Sequence, residues 1–216
     1  MGTISLRFQA HVPIGPIEEP NDFVTEFMGD ILYTTDDKTR RIGAFDVMRV
    51  NIALGKDLDE AAWEIFDAHS ARLADVFQII FSHNTDDFKE SIKQYFCTPD
   101  FDLLIIDSII LSPKFRGRGL GLMAARTIVD QLGWGCGLTV ATMTPVLPCD
   151  ADEARVPRRW LPGVSDFCTQ ADAKGKIARH FEKMGFERIG QSELWGLSHG
   201  LRRPTARELD KLRQRR

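Results

Sequence analysis

The chain has 216 residues, of which 43% are hydrophobic. That is enough for one substantial core, or one core with a long excursion. A formal net charge of −3 sets up no global field toward nucleic acid or a membrane surface. Cys97, Cys136, Cys149 and Cys168 are widely spaced with no C-x-x-C pair, which argues against a zinc site or a disulfide framework and for reduced thiols. His11, His69, His83, His180 and His199 form no ligand pattern, so no metal is expected. Met1–Ala10 lacks the apolar core of a signal peptide, and no apolar run is long enough for a bilayer. A soluble, cytoplasmic protein is expected.

Ser5–His11 alternates weakly and predicts a first strand. Beyond the Pro/Glu-rich stretch Pro13–Asp22, Phe27–Thr34 predicts a second and Arg41–Ala53 a third, with Asp36, Asp37 and Lys38 as the hairpin turn between them. The period then changes. Within Leu58–Phe81, residues Ala62, Trp63, Phe66, Leu73, Val76, Phe77 and Ile80 fall on one helical stripe with acidic residues in its first turn. That stripe is a core face; its members Trp63, Phe66, Phe77 and Ile80 are also candidates for a homodimer contact. Phe88–Phe96 predicts a short helix. Phe101–Leu111 is apolar on both faces, as a central strand is. Gly121–Leu132 predicts a helix, Leu138–Met143 a strand, Ala171–Met184 a helix stopped by Gly185, and Phe186–Leu197 the closing strands. Between them, Pro145–Gln170 is rich in Pro, Asp and Arg and too long for a simple connector. No internal repeat and no linker is visible, so one mixed α/β domain spans 1–201. A basic tail follows over 202–216, with Arg202, Arg203, Arg207, Lys211, Arg213, Arg215 and Arg216 set against Glu208 and Asp210. It reads as a solvated, partly helical end, with nucleic-acid contact the lesser reading.

The strongest local signal is the strand Leu103–Leu111 running through Ser112-Pro113-Lys114-Phe115 into Arg116-Gly117-Arg118-Gly119-Leu120-Gly121, which opens the helix. Free amides, a helix N-terminus and two guanidiniums meet there, a cradle for phosphate or pyrophosphate. Glycines allow the tight backbone and the close approach of a ligand. Gly119-Leu120-Gly121-Leu122-Met123-Ala124 formally matches the dinucleotide pattern G-x-G-x-x-[GA]. That pattern also wants a ribose-binding carboxylate about 20 residues on, where this chain has Thr139-Val140-Ala141-Thr142-Met143-Thr144. A dinucleotide oxidoreductase is therefore the distant reading.

Arg116-Gly117-Arg118-Gly119-Leu120-Gly121 resembles the [QR]-x-x-G-x-[GA] signature of the GNAT family of acyl-CoA-dependent N-acyltransferases, and Ile109–Pro113 resembles that family's strand-to-loop lead-in. A second block, Ala178-Arg179-His180-Phe181-Glu182-Lys183-Met184-Gly185-Phe186, resembles the family's helix-to-strand element at the right distance and in the right order. Together the blocks cover about the C-terminal half. The resemblance implies a mixed, splayed sheet flanked by helices on both faces, with acetyl-CoA wedged between the strand ending at Leu111 and the strand Leu138–Met143. It implies a pantetheine arm paired with backbone near Ile109 and Leu111 like an added strand. It further implies a pyrophosphate on the amides of Arg116, Gly117, Arg118, Gly119, Leu120 and Gly121. Arg116, Arg118 and Lys114 are its charged candidates, Lys114 the one most readily read as plain surface.

Amine acylation needs a neutral amine, a polarised thioester carbonyl and a proton for the departing thiolate. A strand amide near Ile109 can polarise the carbonyl. Asp107, a carboxylate interrupting an apolar central strand, is the candidate base, acting directly or through water; otherwise it pairs with an arginine such as Arg49 or faces solvent at a bulge. Ser108 beside it marks such a bulge. Many family members carry a tyrosine in the second block as the acid. Here Phe181 holds that position, able to pack against the cofactor but not to give a proton. The only tyrosines, Tyr33 and Tyr95, are far away in sequence. Cys168, Ser165 or water are substitutes, or the thiolate leaves unassisted; His180 points about 100° away from Phe181 on the same helix and reads as a surface histidine. With no cysteine in either block, direct attack in a ternary complex is expected rather than a cysteine relay. The segment that shapes the acceptor pocket also departs from the family, its helices following three strands instead of one. Pro145–Gln170, with Arg155, Arg158, Arg159 and Trp160, folds over the acceptor, packs on a partner subunit, or is a surface excursion. The expected function is acetyl transfer to a small-molecule or peptide amine; the other class is a CoA-binding sensor or scaffold.

Overall fold

The computed structural model describes residues 2–12, 16–17, 19–36, 38–96, 98, 100–142, 144, 146, 155–161, 170–201, 203–205 and 208–209. The chain begins with two long antiparallel turns of sheet, β1 (Thr3–His11), β2 (Val24–Thr34) and β3 (Thr39–Val50). Helices α1 (Ile52–Asp57), α2 (Ala62–His69) and α3 (Ala71–Ile80), a small hairpin of β4 (Phe81–Ser82) and β5 (Asp87–Phe88), and α4 (Glu90–Phe96) follow. Then come β6 (Asp102–Leu111), α5 (Leu120–Leu132), β7 (Cys136–Thr142), α6 (Gln170–Glu182), β8 (Glu187–Arg188) and β9 (Leu194–Ser198). Seven strands make one sheet in the order β1-β2-β3-β6-β7-β9-β8. All neighbours are antiparallel except the central β6 and β7, whose crossover is α5. This is the mixed sheet with helices on both faces that the GNAT resemblance implied.

Alternation along β6 splits the core. Leu103 and Ile105 join Val24, Val50, Leu138 and Val140 under α1–α4, whereas Leu104 and Ile106 join Phe45, Val47 and Ala141 under α5 and α6. The apolar stripe Phe66, Phe77 and Ile80 is fully buried, with Trp63 packed against it. Phe66, Phe77 and Ile80 are spent inside the monomer, whereas Trp63 stays partly exposed.

Where the sequence predicts one helix over Leu58–Phe81, the chain makes two, with α1 added before them. The first break lies at Leu58–Ala61, where Asp59 takes a positive φ of 61°. The second is Ser70, which is extended and caps α3, its hydroxyl accepting from the Leu73 amide at 3.3 Å. The third strand stops at Val50 rather than Ala53 because α1 has begun by Ile52. The described part of the tail is not wholly solvated: Arg126 on α5 donates to the Pro204 carbonyl, and Leu209 is buried with the second core.

Candidate active site

Everything central to the site follows from one irregularity in β6. Its pairing with β3 runs Phe45↔Ile109 and Asp46↔Ser108, then skips to Val47↔Ile106. Asp107 is the extra residue, a β-bulge that puts Asp107 and Ser108 on the same face and reverses the phase of the residues after it. Ile110 therefore packs toward Ala44 on the α1–α3 side, while Ile109 and Leu111 pack toward α5 and α6. At the same point the sheet forks. The parallel ladder between β6 and β7 runs to Ile106↔Ala141, and among the described residues no pair follows it, although β6 stays paired with β3 as far as Leu111↔Gly43.

Beyond the fork, one edge of β6 meets no partner strand among the described residues. The Ser112 amide donates to the Ile42 carbonyl at 2.8 Å. By strand alternation Ser112 and Ile110 face β3, so Ile109 and Leu111 turn their N–H and C=O groups to the fork. Arg116 Nε donating to the Leu111 carbonyl at 2.9 Å agrees with that direction. The sequence singled out these two residues for the cofactor arm, and here their outward backbone groups meet no described strand, the Leu111 carbonyl accepting from Arg116 instead.

Past Leu111 a short 3₁₀ turn, Pro113–Phe115, leads into the glycine loop. Gly117 and Gly119 have φ of 70° and 71°, left-handed values that favour glycine. Gly119 is the N-cap of α5 and brings no side-chain cap, so the first amides of the helix, on Leu120 and Gly121 among others, are left for a ligand. A Cβ on Gly121 would lie 3.6 Å from Leu111 Cδ1 and 3.8 Å from His180 Nε2. The glycine loop, Leu111 and α6 thus meet at one place, and His180 is half-buried there rather than a plain surface residue. Phe181, half-buried, meets Phe186 edge-on at 5.1 Å. Arg116 is engaged by the protein itself: besides Leu111 it reaches the Trp160 carbonyl. Arg118 lies over the Phe115 ring at 5.7 Å, and Lys114 is exposed.

On the opposite face of the fork stand carboxylates that the sequence did not bring together. Asp107 is ion-paired with Arg72 of α3; Arg49, its suggested partner, pairs instead with Asp102 at 2.9 Å, at the far end of β6. Asp46 accepts from the Ser108 hydroxyl at 3.2 Å and pairs with Arg155. Burial pushes the Asp46 carboxyl above its ordinary value, outweighing Arg155 and Ser108, which pull it down. Glu26 on β2 holds His69 at 3.2 Å. Arg72 also donates to the Thr142 hydroxyl on β7 at 2.8 Å. Nothing in the local sequence marks Asp46: its partner Ser108 is 62 positions away.

Within the long loop the described residues are 146, 155–161 and 170, and Val146 packs against Ala44 and Ile110. There Val156 and Leu161 bury against Ala44 and Ile110, and Trp160 lies 5.9 Å under Arg41. Ser165 and Cys168 lie outside the described residues. Cys136 is buried and its thiol is pushed up to about 12, mainly by that burial; it has no nucleophile's character. Among the described residues no cluster of His, Cys, Asp or Glu could hold a metal, and no helix is long and apolar enough to cross a membrane.

No protein-family model matches the chain, and no curated protein matches it. Among solved structures, the chain is similar to a mutant agmatine N-acetyltransferase in its apo form, at 13% identity and a TM-score of 0.39, over 83% of this chain and 77% of that one. It is also similar to the polyamine N-acetyltransferase of Drosophila melanogaster, described as catalysing the formation of N-acetylagmatine. That likeness has 12% identity and a TM-score of 0.37, over 78% of this chain and 73% of the other. The strand order, the parallel central pair and the fork beside the glycine loop make the fold GNAT-like.

Proposed function

We propose that this chain is an acyl-CoA-dependent N-acyltransferase that moves an acetyl group from acetyl-CoA to a small-molecule or peptide amine, by direct attack in a ternary complex. The observation that carries the reading is the β6–β7 ladder ending at Ile106↔Ala141 while the neighbouring glycine loop opens α5. An extended ligand can take up the backbone groups of Ile109 and Leu111 as a missing strand would. Its pyrophosphate then meets the amides of Arg116, Gly117, Arg118, Gly119, Leu120 and Gly121, with the helix dipole favouring the anion. Phe181 packs against the arm. Arg118 is the cation with most freedom to join the phosphates, since Arg116 already holds two carbonyls. The chain is taken to work in the cytoplasm and without a metal.

The amine reaches the thioester from the face that carries Asp107 and Asp46. Asp107, next to the fork, is the base that the sequence singles out. A second reading gives the proton to Asp46. One observation favours it: burial raises the Asp46 carboxyl even with Arg155 paired to it. A carboxylate held high in a part-buried site is the better base near neutral pH. Thermal melts with acetyl-CoA and with NAD, followed by coenzyme A release over a panel of primary amines, test the proposal. Acetyl-CoA should raise the Tm and NAD should not; the reverse sinks the acyltransferase reading. With an active amine in hand, Asp46→Asn should cost about 10²-fold in kcat and Asp107→Asn clearly less. The opposite order returns the role to Asp107. Tight acetyl-CoA binding with no release on any amine would leave the sensor or scaffold reading, which Phe181 in place of a proton donor supports.

A further inference from the structure

Arg72 stands where its helix would not choose a cation. With Ser70 as N-cap it is the second residue of α3, at the positive end of the helix dipole, where acidic side chains are the favoured ones. Its compensation comes from outside the helix, as an ion pair with Asp107 and a 2.8 Å bond to the Thr142 hydroxyl. Those two contacts have a common address. Asp107 and Thr142 are the residues that directly follow Ile106 and Ala141, the last pair of the parallel ladder. One guanidinium from a third element therefore bridges the two strands at the apex of the fork. A local rule broken at such a place is a mark of function.

The acyltransferase reading supplies the rest, and the inference rests on it. From Leu111 to Asp107 is about 13 Å of strand at about 3.3 Å per residue. An arm anchored at the glycine loop and laid along the open edge brings its sulfur to the apex. Phe181 has no proton to offer there. We propose that Arg72 carries the leaving group, its N–H donors at the apex holding the coenzyme A sulfur as a thiolate while the amine displaces it. The amine nitrogen bonds to the acyl carbon, the C–S bond breaks with its electron pair on sulfur, and the amine proton goes to the carboxylate that serves as base, Asp46 or Asp107. No proton is needed at the sulfur. A guanidinium suits this work because it stays charged and has donors beyond those that Asp107 and Thr142 use.

The charged groups facing this point are Asp107 on β6, Asp46 on β3 with Arg155, and Asp75 one turn along α3; His69 on α2 pairs with Glu26 of β2 instead. Carboxylates and guanidiniums ordinarily titrate well away from a thiol's pKa of about 8.5. The test is therefore the affinity of free coenzyme A from about pH 6.5 to about pH 9.5, relative to desulfo-coenzyme A, the same ligand without the thiol. In the wild type the ratio should begin to rise about one unit below the free thiol's pKa and level off above that pKa, about tenfold higher. Arg72→Met and Arg72→Gln should flatten it, and Arg72→Lys should keep part of it. Desulfo-coenzyme A should bind wild type and variants alike, which reports an intact cleft. A flat ratio in the wild type, or the same rise in the wild type and both neutral variants, overturns the proposal. Failure of the wild type to bind either ligand at all is a different result, which takes down the acyltransferase reading and this inference with it.

Discussion

Gly121→Ala separates the needs of the fold from those of the cofactor. Gly121 is in the first turn of α5, and a methyl added there meets only Leu111 Cδ1 at 3.6 Å and His180 Nε2 at 3.8 Å. Both are ordinary contacts, so nothing in the protein need move. Replacing glycine by alanine in a helix gains up to about 1 kcal/mol, or about 2–4 °C in Tm for a domain of this size. The unliganded variant should therefore melt at or above the wild type. Gly117→Ala should do the reverse, since its φ of 70° costs a residue with a Cβ about 1–2 kcal/mol. With acetyl-CoA the order changes. The Gly121 methyl projects into the gap between the open edge at Leu111 and α6 at His180, through which the proposed arm passes. Ligand at 100 times Kd stabilises by about 2.7 kcal/mol, and a tenfold weaker affinity leaves about 1.4 kcal/mol at the same concentration. The assay is a melt of each protein with and without acetyl-CoA, read as the increment. A Gly121→Ala protein with unchanged or raised stability and the full wild-type increment would refute the placement of the cofactor in this gap. Loss of stability without ligand would refute the reading of the α5–α6 contact.

Two further outcomes rest on the same geometry. Phe181→Tyr restores a hydroxyl where the resemblance has its acid; if Arg72 carries the thiolate, the rate of coenzyme A release should change by less than about threefold, and a gain of about tenfold or more would show that a general acid had been missing. His199, half-buried with its Nε2 2.7 Å from the Thr139 hydroxyl, has its pKa pushed down to about 4, chiefly by burial and then by Arg203. Its folded value lies below the unfolded value of about 6.5, so the unfolded chain takes a proton that the folded one refuses. Stability is complete above about pH 6.5 and falls toward about pH 4, by at most about 3 kcal/mol for this residue. Urea midpoints at neutral and acid pH should show the loss, and His199→Gln should reduce it; the same acid slope in both proteins assigns it elsewhere.

Local patterns made the cofactor half of the site legible. The strand, the glycine loop and the helix after it are contiguous, and their backbone chemistry depends on glycine φ values and a helix start that residue types announce. Helices α2 and α3 were legible as one apolar stripe but not as two pieces, and α1 before them was not legible as a helix. One of the breaks is a serine whose capping role shows only once the Leu73 amide is seen on it. The acceptor half was hidden for a different reason. Asp46, Ser108, Asp107, Arg72 and Thr142 come from four separate elements, and sheet register and the crossing of α3 bring them together. In the apolar run Leu103–Leu111 only Asp107 and Ser108 hint at a bulge, because both faces are buried and a change of phase leaves no mark in the apolar pattern.

That bulge is what joins the two halves. Had β6 run without an extra residue, the phase set by Leu104 and Ile106 would continue, and Ser108 would face α5 rather than Asp46. The residue inserted at Asp107 turns both Asp107 and Ser108 to the acceptor side, returns Ile109 and Leu111 to the cofactor side, and sits where β7 leaves the ladder. A bulge sharpens the local twist of its strand, and a strand that bends away from a parallel neighbour cannot keep its slanted bonds to it. The same insertion thus lies beside the edge proposed for the cofactor and turns the polar groups toward the side proposed for the acceptor. Arg72 then bridges the two strands at the place of the first missing rung, with a side chain that is itself suited to the proposed chemistry. On this argument, deleting Asp107 should do more damage to acetyl-CoA binding than replacing it by asparagine, because the deletion restores the register and closes the edge, while the replacement keeps the bulge.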